Sequence, residues 1–300
     1  NHHPPADGMS RAPSPQWVDY RAQLLRVTAH IHDHLAEPLD LNQLAVVADL
    51  SPFHWHRVYH ALLGETVMGT VRRLRLHQAS GYLAQTTLTV TEIARRCGYP
   101  NAQSFTRAFR QTFGMSPQAW RASRTDRLPW RSPDAASPEA WPVTVRHVPA
   151  IEVAGFTHRG SYMRIGRAFE TAHIQFAAQG LMRPDTRWLA QYQDDPFAYP
   201  EAQLNSRAGF SLPPGATIAP PLQRFTLGGT PCAVLRYRGP YTDMRDAYRW
   251  LYGSWLVTTG HRLADQPVFE EYLNTPRDVA PADLLSDIYL PLAATTVVPA

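Results

Sequence analysis

The sequence has no lysine: all 29 of its basic residues are arginine. Every cation it carries at neutral pH is therefore a planar guanidinium, the group best suited to bidentate binding of guanine and phosphate, unless a histidine is protonated. Cysteine is nearly absent too. Cys97 and Cys232 are too few for a disulfide framework or a zinc site of their own, and they read as reduced, buried thiols. No apolar run approaches the roughly 20 residues of a membrane-spanning helix, and the opening NHHPPADG lacks the apolar core of a secretory signal. The expectation is a cytoplasmic protein with no membrane partner. There is no P-loop, dinucleotide fingerprint, nucleophile elbow or zinc-protease motif, so no cofactor is expected.

What remains is enough for a folded, two-part chain. Hydrophobic residues make up 44 % of the 300 positions, which excludes global disorder, and the length suits about two domains of roughly 150 residues. Residues 1–16 read as a disordered tail. Residues 17–122 carry helical patterns and almost no strand signal, and 123–142, SRTDRLPWRSPDAASPEAWP, read as a linker. From 143 to 300, short β-branched and aromatic runs alternate with amphipathic segments, the texture of an α+β domain. The net charge of +4 hides an imbalance: residues 1–131 carry +6 and residues 132–300 carry −2. The basic excess therefore lies in the helical half, where an anionic partner is expected.

That half contains one device twice. In DLNQLAVVADLSPFHWHRVYHALLG, residues 40–64, Asp40 caps a short helix with Leu41, Leu44 and Ala45 on its apolar face. Ser51 and Pro52 then start a second helix a few residues later. Phe53, His54, His56 and Arg57 fall in its first turns, where a helix-turn-helix contacts bases; Phe53 also fits a core position. The pattern recurs at residues 87–117. There Thr91 caps a helix with Ile93, Ala94 and Cys97 inward, Gly98 ends it, and Asn101 opens the next. On that next helix Gln103, Thr106 and Arg107 point outward and Phe105, Phe109 and Phe113 inward. Arg57 and Arg107 hold equivalent places 50 residues apart. The segment between the units, with the charge run Arg72, Arg73 and Arg75, reads as a linking helix that faces solvent or backbone phosphate. His30 and His34, like His56 and His60, have the spacing of metal ligands, but nothing completes a set, so no metal is expected.

On these residues, and above all on EIARRCGYPNAQSFTRAFRQTFGMSPQAWR, the helical half resembles the AraC/XylS family of transcription regulators. The resemblance implies that Phe53, His56 and Arg57 face one major-groove segment of double-stranded DNA. It implies that Ala102, Gln103, Thr106 and Arg107 face the next. The side chains suit that role: Arg matches guanine O6 and N7, Gln matches adenine, and Thr a phosphate or thymine methyl.

The second half repeats itself. RGSY at 159–162 matches RGPY at 238–241, and Gly180, Tyr192 and Pro196 match Gly260, Tyr272 and Pro276. FSLP at 210–213 echoes YLPL at 289–292. Two strand-helix-strand-strand units side by side form a pseudo-twofold domain with a cleft between them. In PVFEEYLN, strand alternation puts Glu270 and Tyr272 on one face and Phe269 and Glu271 on the other. This half resembles the GyrI-like, or duplicated SHS2, effector-binding domain, and the domain order resembles the Rob-like subgroup of the AraC family. The resemblance implies a cleft that binds amphipathic, often cationic small molecules, with its pocket carboxylate on Glu270 and with Ala190 at the matching place in the first repeat. Tyr162, Phe169, Trp188, Tyr192, Tyr241, Trp250, Trp255, Tyr272 and Tyr289 are the expected aromatic walls, suited to cation–π contact.

The expected molecule is a transcription regulator, not an enzyme, with DNA, a small-molecule effector and RNA polymerase as partners. Two DNA-reading units in one chain let it act as a monomer or weak dimer. Two other readings stay open for the second half: a hydrolase of strained electrophiles, with Glu270 and a tyrosine activating water, or a module that only contacts proteins.

Overall fold

The computed structural model describes residues 15–49, 55–125, 141–196 and 198–294. The helical half runs through α1 (Pro15–Asp33), α2 (Leu41–Ala48), α3 (Trp55–Leu63), α4 (Val67–Gln85), α5 (Val90–Arg96), α6 (Ala102–Phe113) and α7 (Pro117–Thr125). It has two cores. Leu24, Val27, Ile31, Leu44, Trp55, Tyr59 and Val71 close the first around α1–α4. Ile93, Cys97, Phe105, Phe109 and Trp120 close the second around the C-terminal part of α4 and α5–α7. Both cores are built on the apolar periodicities that define the helix pairs, and α4 belongs to both.

The local signals explain most of the helix boundaries. The Asp40 carboxylate accepts from the Asn42 N–H and Asn101 Oδ1 from the Ser104 N–H, which satisfies otherwise orphaned donors of the first turn. Gly98 follows α5 with a φ of +73°, a left-handed conformation that glycine adopts without strain. Two expectations are corrected. The cap of α5 is Thr89 and not Thr91, because Glu92 stands three residues after Thr89 and closes a reciprocal capping box. Leu41 is 43 % exposed, since it lies at the first residue of α2, and the helix reaches the core through Leu44, Ala45 and Ala48.

The second half is an eight-stranded antiparallel sheet with helices on one face. Its strands are β1 (Val143–Val148), β2 (Ile151–Arg159), β3 (Trp188–Tyr192), β4 (Asn205–Ser211), β5 (Gln223–Leu227), β6 (Thr230–Arg238), β7 (Val268–Tyr272) and β8 (Leu285–Pro291), in the order β1-β6-β8-β7-β3-β4-β2-β5. The order is a palindrome of the two repeats, with the pseudo-twofold axis between β3 and β7. Each repeat has one strand more than its motif suggests. β1 leaves the first repeat to pair with β6 of the second, and β5 leaves the second to pair with β2 of the first, so each unit is completed by the other. These outer strands carry none of the shared motif residues.

The helices also differ between repeats. In the first, α8 (Gly166–Ala178) is continuous. In the second, α9 (Met244–Trp250) passes through a π-helical turn, Leu251–Trp255, into α10 (Leu256–Thr259). No helix among the described residues is long and apolar enough to cross a membrane.

The two halves pack against each other through α8. Its inner face puts Ala168, Phe169, Ala172 and Phe176 on the sheet. Its outer face puts Ile174 into the first helical core. A polar cluster surrounds that contact. The buried Glu170 carboxylate accepts from His32 Nε2 at 2.7 Å and from Arg73 Nη2 at 3.1 Å. His173 donates to the Leu62 carbonyl, His77 to the Met163 carbonyl, and Arg277 to the Leu63 carbonyl. Arg124 pairs with Asp243.

Candidate functional site

The first candidate surface lies on α3 and α6. His56 and Arg57, in the first turn of α3, are exposed, as are Gln103 and Arg107 on α6; Ala102 and Thr106 are half-buried beside them. The opposite faces are fixed by Trp55 and Tyr59 on α3 and by Phe105 and Phe109 on α6, all buried. Each amphipathic helix therefore holds one arginine out to solvent from the same relative position, on a helix anchored by aromatic side chains. Ser51, Pro52, Phe53 and His54 lie outside the described residues. Arg72 bonds Gln111 Oε1, Arg73 turns inward to Glu65 and Glu170, and Arg75 donates to the carbonyls of Leu35 and Glu37. The expectation that this run is one solvated or phosphate-facing stripe is thus corrected: Arg73 and Arg75 hold helices together. His30 and His34 stack on each other at 4.0 Å.

The second candidate site is the cleft between the repeats. Ala190 on β3 lies opposite Glu270 on β7 in the central ladder, and Trp188 lies opposite Tyr272. Because Ala190 has only a methyl group, the space above the axis is left to the Glu270 side chain. Its carboxylate is buried, and both oxygens are occupied. Tyr248 on α9 donates to Oε1 at 2.5 Å and Tyr272 donates to Oε2 at 2.7 Å. Since the Tyr272 proton goes to Glu270, its oxygen accepts from Tyr192, 2.5 Å away. Tyr162 packs on Tyr192 at 4.7 Å and Tyr241 on Tyr272 at 5.4 Å. Phe169 completes the wall against Tyr272 and Trp188.

Electrostatically this is a carboxyl in an aromatic box. Burial pushes the Glu270 pKa up, and the two tyrosine hydrogen bonds only partly oppose it. Burial and the Glu270 charge push Tyr192, Tyr248 and Tyr272 well above the ordinary phenol range. A cation brought beside this carboxyl would favour its ionised form.

The structure brings together Glu270, Tyr272, Tyr162, Tyr192, Tyr241, Phe169 and Trp188. Three other expected walls lie elsewhere. Tyr289 stacks on Phe269 at 4.6 Å on the opposite face of the sheet, beside Glu271, because β8 presents it to that side. Trp250 packs on Trp141 beneath α9, and Trp255 stacks on His261. Tyr248 was missed by the sequence reading. A signal for it was present: Tyr248 stands 79 residues after Phe169, the same offset that relates RGPY to RGSY.

Residues 142–293 match the family described as the GyrI-like small molecule binding domain. The chain belongs to that family. Residues 44–123 of this GyrI-like chain match a helix-turn-helix domain, and the region is of the AraC type. Among curated proteins, the chain is similar to the bifunctional transcriptional activator/DNA repair enzyme AdaA of Bacillus subtilis (strain 168), 32 % identical over 37 % of this chain and 50 % of the relative. It is also similar to the Right origin-binding protein of Escherichia coli (strain K12), 30 % identical over 41 % of this chain and 44 % of the relative. The GyrI-like chain thus spans half or less of the length of these relatives. Among solved structures, the DNA-binding domain of AdpA in complex with a target DNA is 31 % identical, covering 36 % of this chain and 97 % of that one, with a TM-score of 0.35.

Proposed function

We propose that this protein is a one-component transcription regulator. The helical half reads DNA, and the GyrI-like half binds an amphipathic, cationic small molecule that biases the reading. The observation that carries the proposal is the pair of exposed arginines, Arg57 and Arg107, at equivalent places on two aromatic-anchored helices, α3 and α6, in helix pairs that the uninterrupted α4 connects. That helix, α4, has 19 residues and is about 28 Å long at about 1.5 Å per residue. It is a stiff spacer of the order of one DNA turn, about 34 Å. His56, Arg57, Ala102, Gln103, Thr106 and Arg107 are the proposed base and backbone contacts. RNA polymerase is the natural downstream partner of such a regulator, in the cytoplasm, and two reading units in one chain make a monomer sufficient.

The proposed role of the cleft is binding rather than turnover. Both Glu270 oxygens are held by tyrosine hydroxyls, which suits a fixed counter-charge better than a base that must reach water. AdaA combines regulation with repair chemistry by name; in this cleft the tyrosine hydroxyls that could assist Glu270 are bonded to it and to each other.

The test is selection of bound sequences from a random DNA pool by the full chain and by Arg107→Ala. The variant is expected to lose about 1–3 kcal/mol on the selected site and to relax one base position within it. Unchanged specificity would remove Arg107 from the interface.

A further inference from the structure

At the end of the β3–β7 ladder, where Trp188 pairs with Tyr272, a cavity of about 420 Å³ opens between the two halves. The sheet half supplies Asp185, Trp188, Tyr272 and Asp278, and the helical half supplies Leu63 and Gly64. Leu63 is the last residue of α3, and Gly64 follows it with a φ of +70°. One wall of the cavity is therefore the C-terminal end of a helix whose first turn carries His56 and Arg57. The same volume touches Tyr272, whose hydroxyl bonds Glu270, so the cavity adjoins the cleft. Its size falls within the range of small-molecule sites.

The chemistry of the lining selects a ligand class. Trp188 and Tyr272 offer apolar rings. The two guanidiniums at the cavity are already committed: Arg187 forms a bidentate pair with Glu271, and Arg277 donates to the Leu63 carbonyl and pairs with Glu65. What remains available is negative. Asp185 and Asp278 are exposed at the rim; Asp278 accepts from Thr275 through Oδ2 alone, and the last carbonyls of α3 are taken by His173 and Arg277.

We propose that the effector sits in this junction cavity and touches both halves: a planar aromatic cation lies against Trp188 and Tyr272, beside Leu63 and Gly64, with its charge toward Asp185 and Asp278. The effector is then read directly by the first helix-turn-helix unit. Differential contact with α3 in two arrangements is what coupling requires. The proposal rests on the reading of the chain as an effector-responsive regulator and adds to it that the helical half forms part of the binding site.

The position that separates this site from the enclosed Glu270 cluster is Gly64. A Cβ built there meets nothing within 4 Å, so added bulk enters the cavity without displacing a neighbour. Any L-residue at this left-handed position carries the same backbone strain, which makes Gly64→Ala the matched control for Gly64→Gln. The probe is thioflavin T, a planar aromatic cation, titrated by fluorescence anisotropy into the full chain without DNA. Gly64→Gln is expected to weaken binding at least tenfold relative to Gly64→Ala, with both variants melting at the same temperature. Asp185→Asn is expected to weaken it about threefold. If both Gly64 variants bind alike while Glu270→Gln loses the dye, the ligand lies wholly within the cleft. The junction site is then overturned and the effector reading stands. If the native chain does not bind the dye, the ligand class is wrong for both; selection of DNA by the same protein then decides whether the regulator reading survives.

Discussion

Glu170 and Glu270 show how placement divides one residue type into two roles. Burial alone would raise the Glu170 pKa, but the hydrogen bond and charge of His32, with the charges of Arg73 and Arg277, hold it down at about 2 from an ordinary value of 4.5. A carboxyl depressed in the folded state contributes stability above its unfolded pKa and loses it as pH falls toward the folded one. The contact between the halves is therefore expected to weaken as pH falls from about 4.5 toward 2, and chemical-shift or hydrogen-exchange changes at the α1–α8 contact would report it. Glu270 has the opposite sign. Its pKa is raised, so the folded state suffers an electrostatic penalty above the unfolded pKa and none well below it. Glu270→Gln is expected to raise the melting temperature at pH 8 and to leave it unchanged near pH 3. Equal melting curves at both pH values would mean that Glu270 is ionised without cost. The same logic ties ligand to proton: a cation bound in the cleft against Glu270 lowers its pKa, so binding there is coupled to proton release over the range in which Glu270 titrates, whereas a cation held at the junction by Asp185 and Asp278 is not. Isothermal titration in buffers of different ionisation enthalpy measures that release.

Elements differ in how openly the sequence announces them. α2 with α3, and α5 with α6, are legible because apolar periodicity agrees with the caps Asp40 and Asn101; Gly98 marks the second turn, whereas the left-handed residue of the first is Asp49. The repeat is legible because RGSY and RGPY mark the same turn twice. The outer strands β1 and β5 are not, because exchange between units leaves no periodic trace. One close approach could also not be read: Gly155 on β2 and Gly209 on β4 lie opposite each other, and a Cβ on Gly155 would stand 1.9 Å from the Ala208 carbonyl oxygen. Gly155→Ala is expected to destabilise the sheet half by more than about 3 kcal/mol, of the order of the largest single-site effects, measured by denaturant unfolding with near-ultraviolet detection. Tyr248 belongs to this scale as well. The motif residues beyond the helix repeat at an offset of 80, which hides a residue equivalent to Phe169 at an offset of 79.

For the whole molecule, the docking of the halves was the least legible feature. A proline-rich segment between two domains suggests independence. Glu170 reads as one more polar residue on an amphipathic helix, and Arg73 as part of a solvated run. Their burial follows from how two finished surfaces meet, which local pattern does not encode. The docking makes α8 a shared wall, with Phe169 in the cleft and Ile174 in the first helical core. Breaking a buried ion pair by removing one partner costs about 3–5 kcal/mol. The native chain is therefore expected to melt in one calorimetric transition and Glu170→Ala in two, one for each half. A single, uniformly lowered transition would show that the rest of the contact suffices.

Whether two helix pairs linked by α4 read two DNA segments is decided by hydroxyl-radical footprinting on a selected site. Two protected segments are expected on one face of the duplex, about one turn or 10 base pairs apart, with Arg57→Ala relaxing one segment and Arg107→Ala the other. A single protected segment, or one segment relaxed by both substitutions, would contradict the two-segment reading.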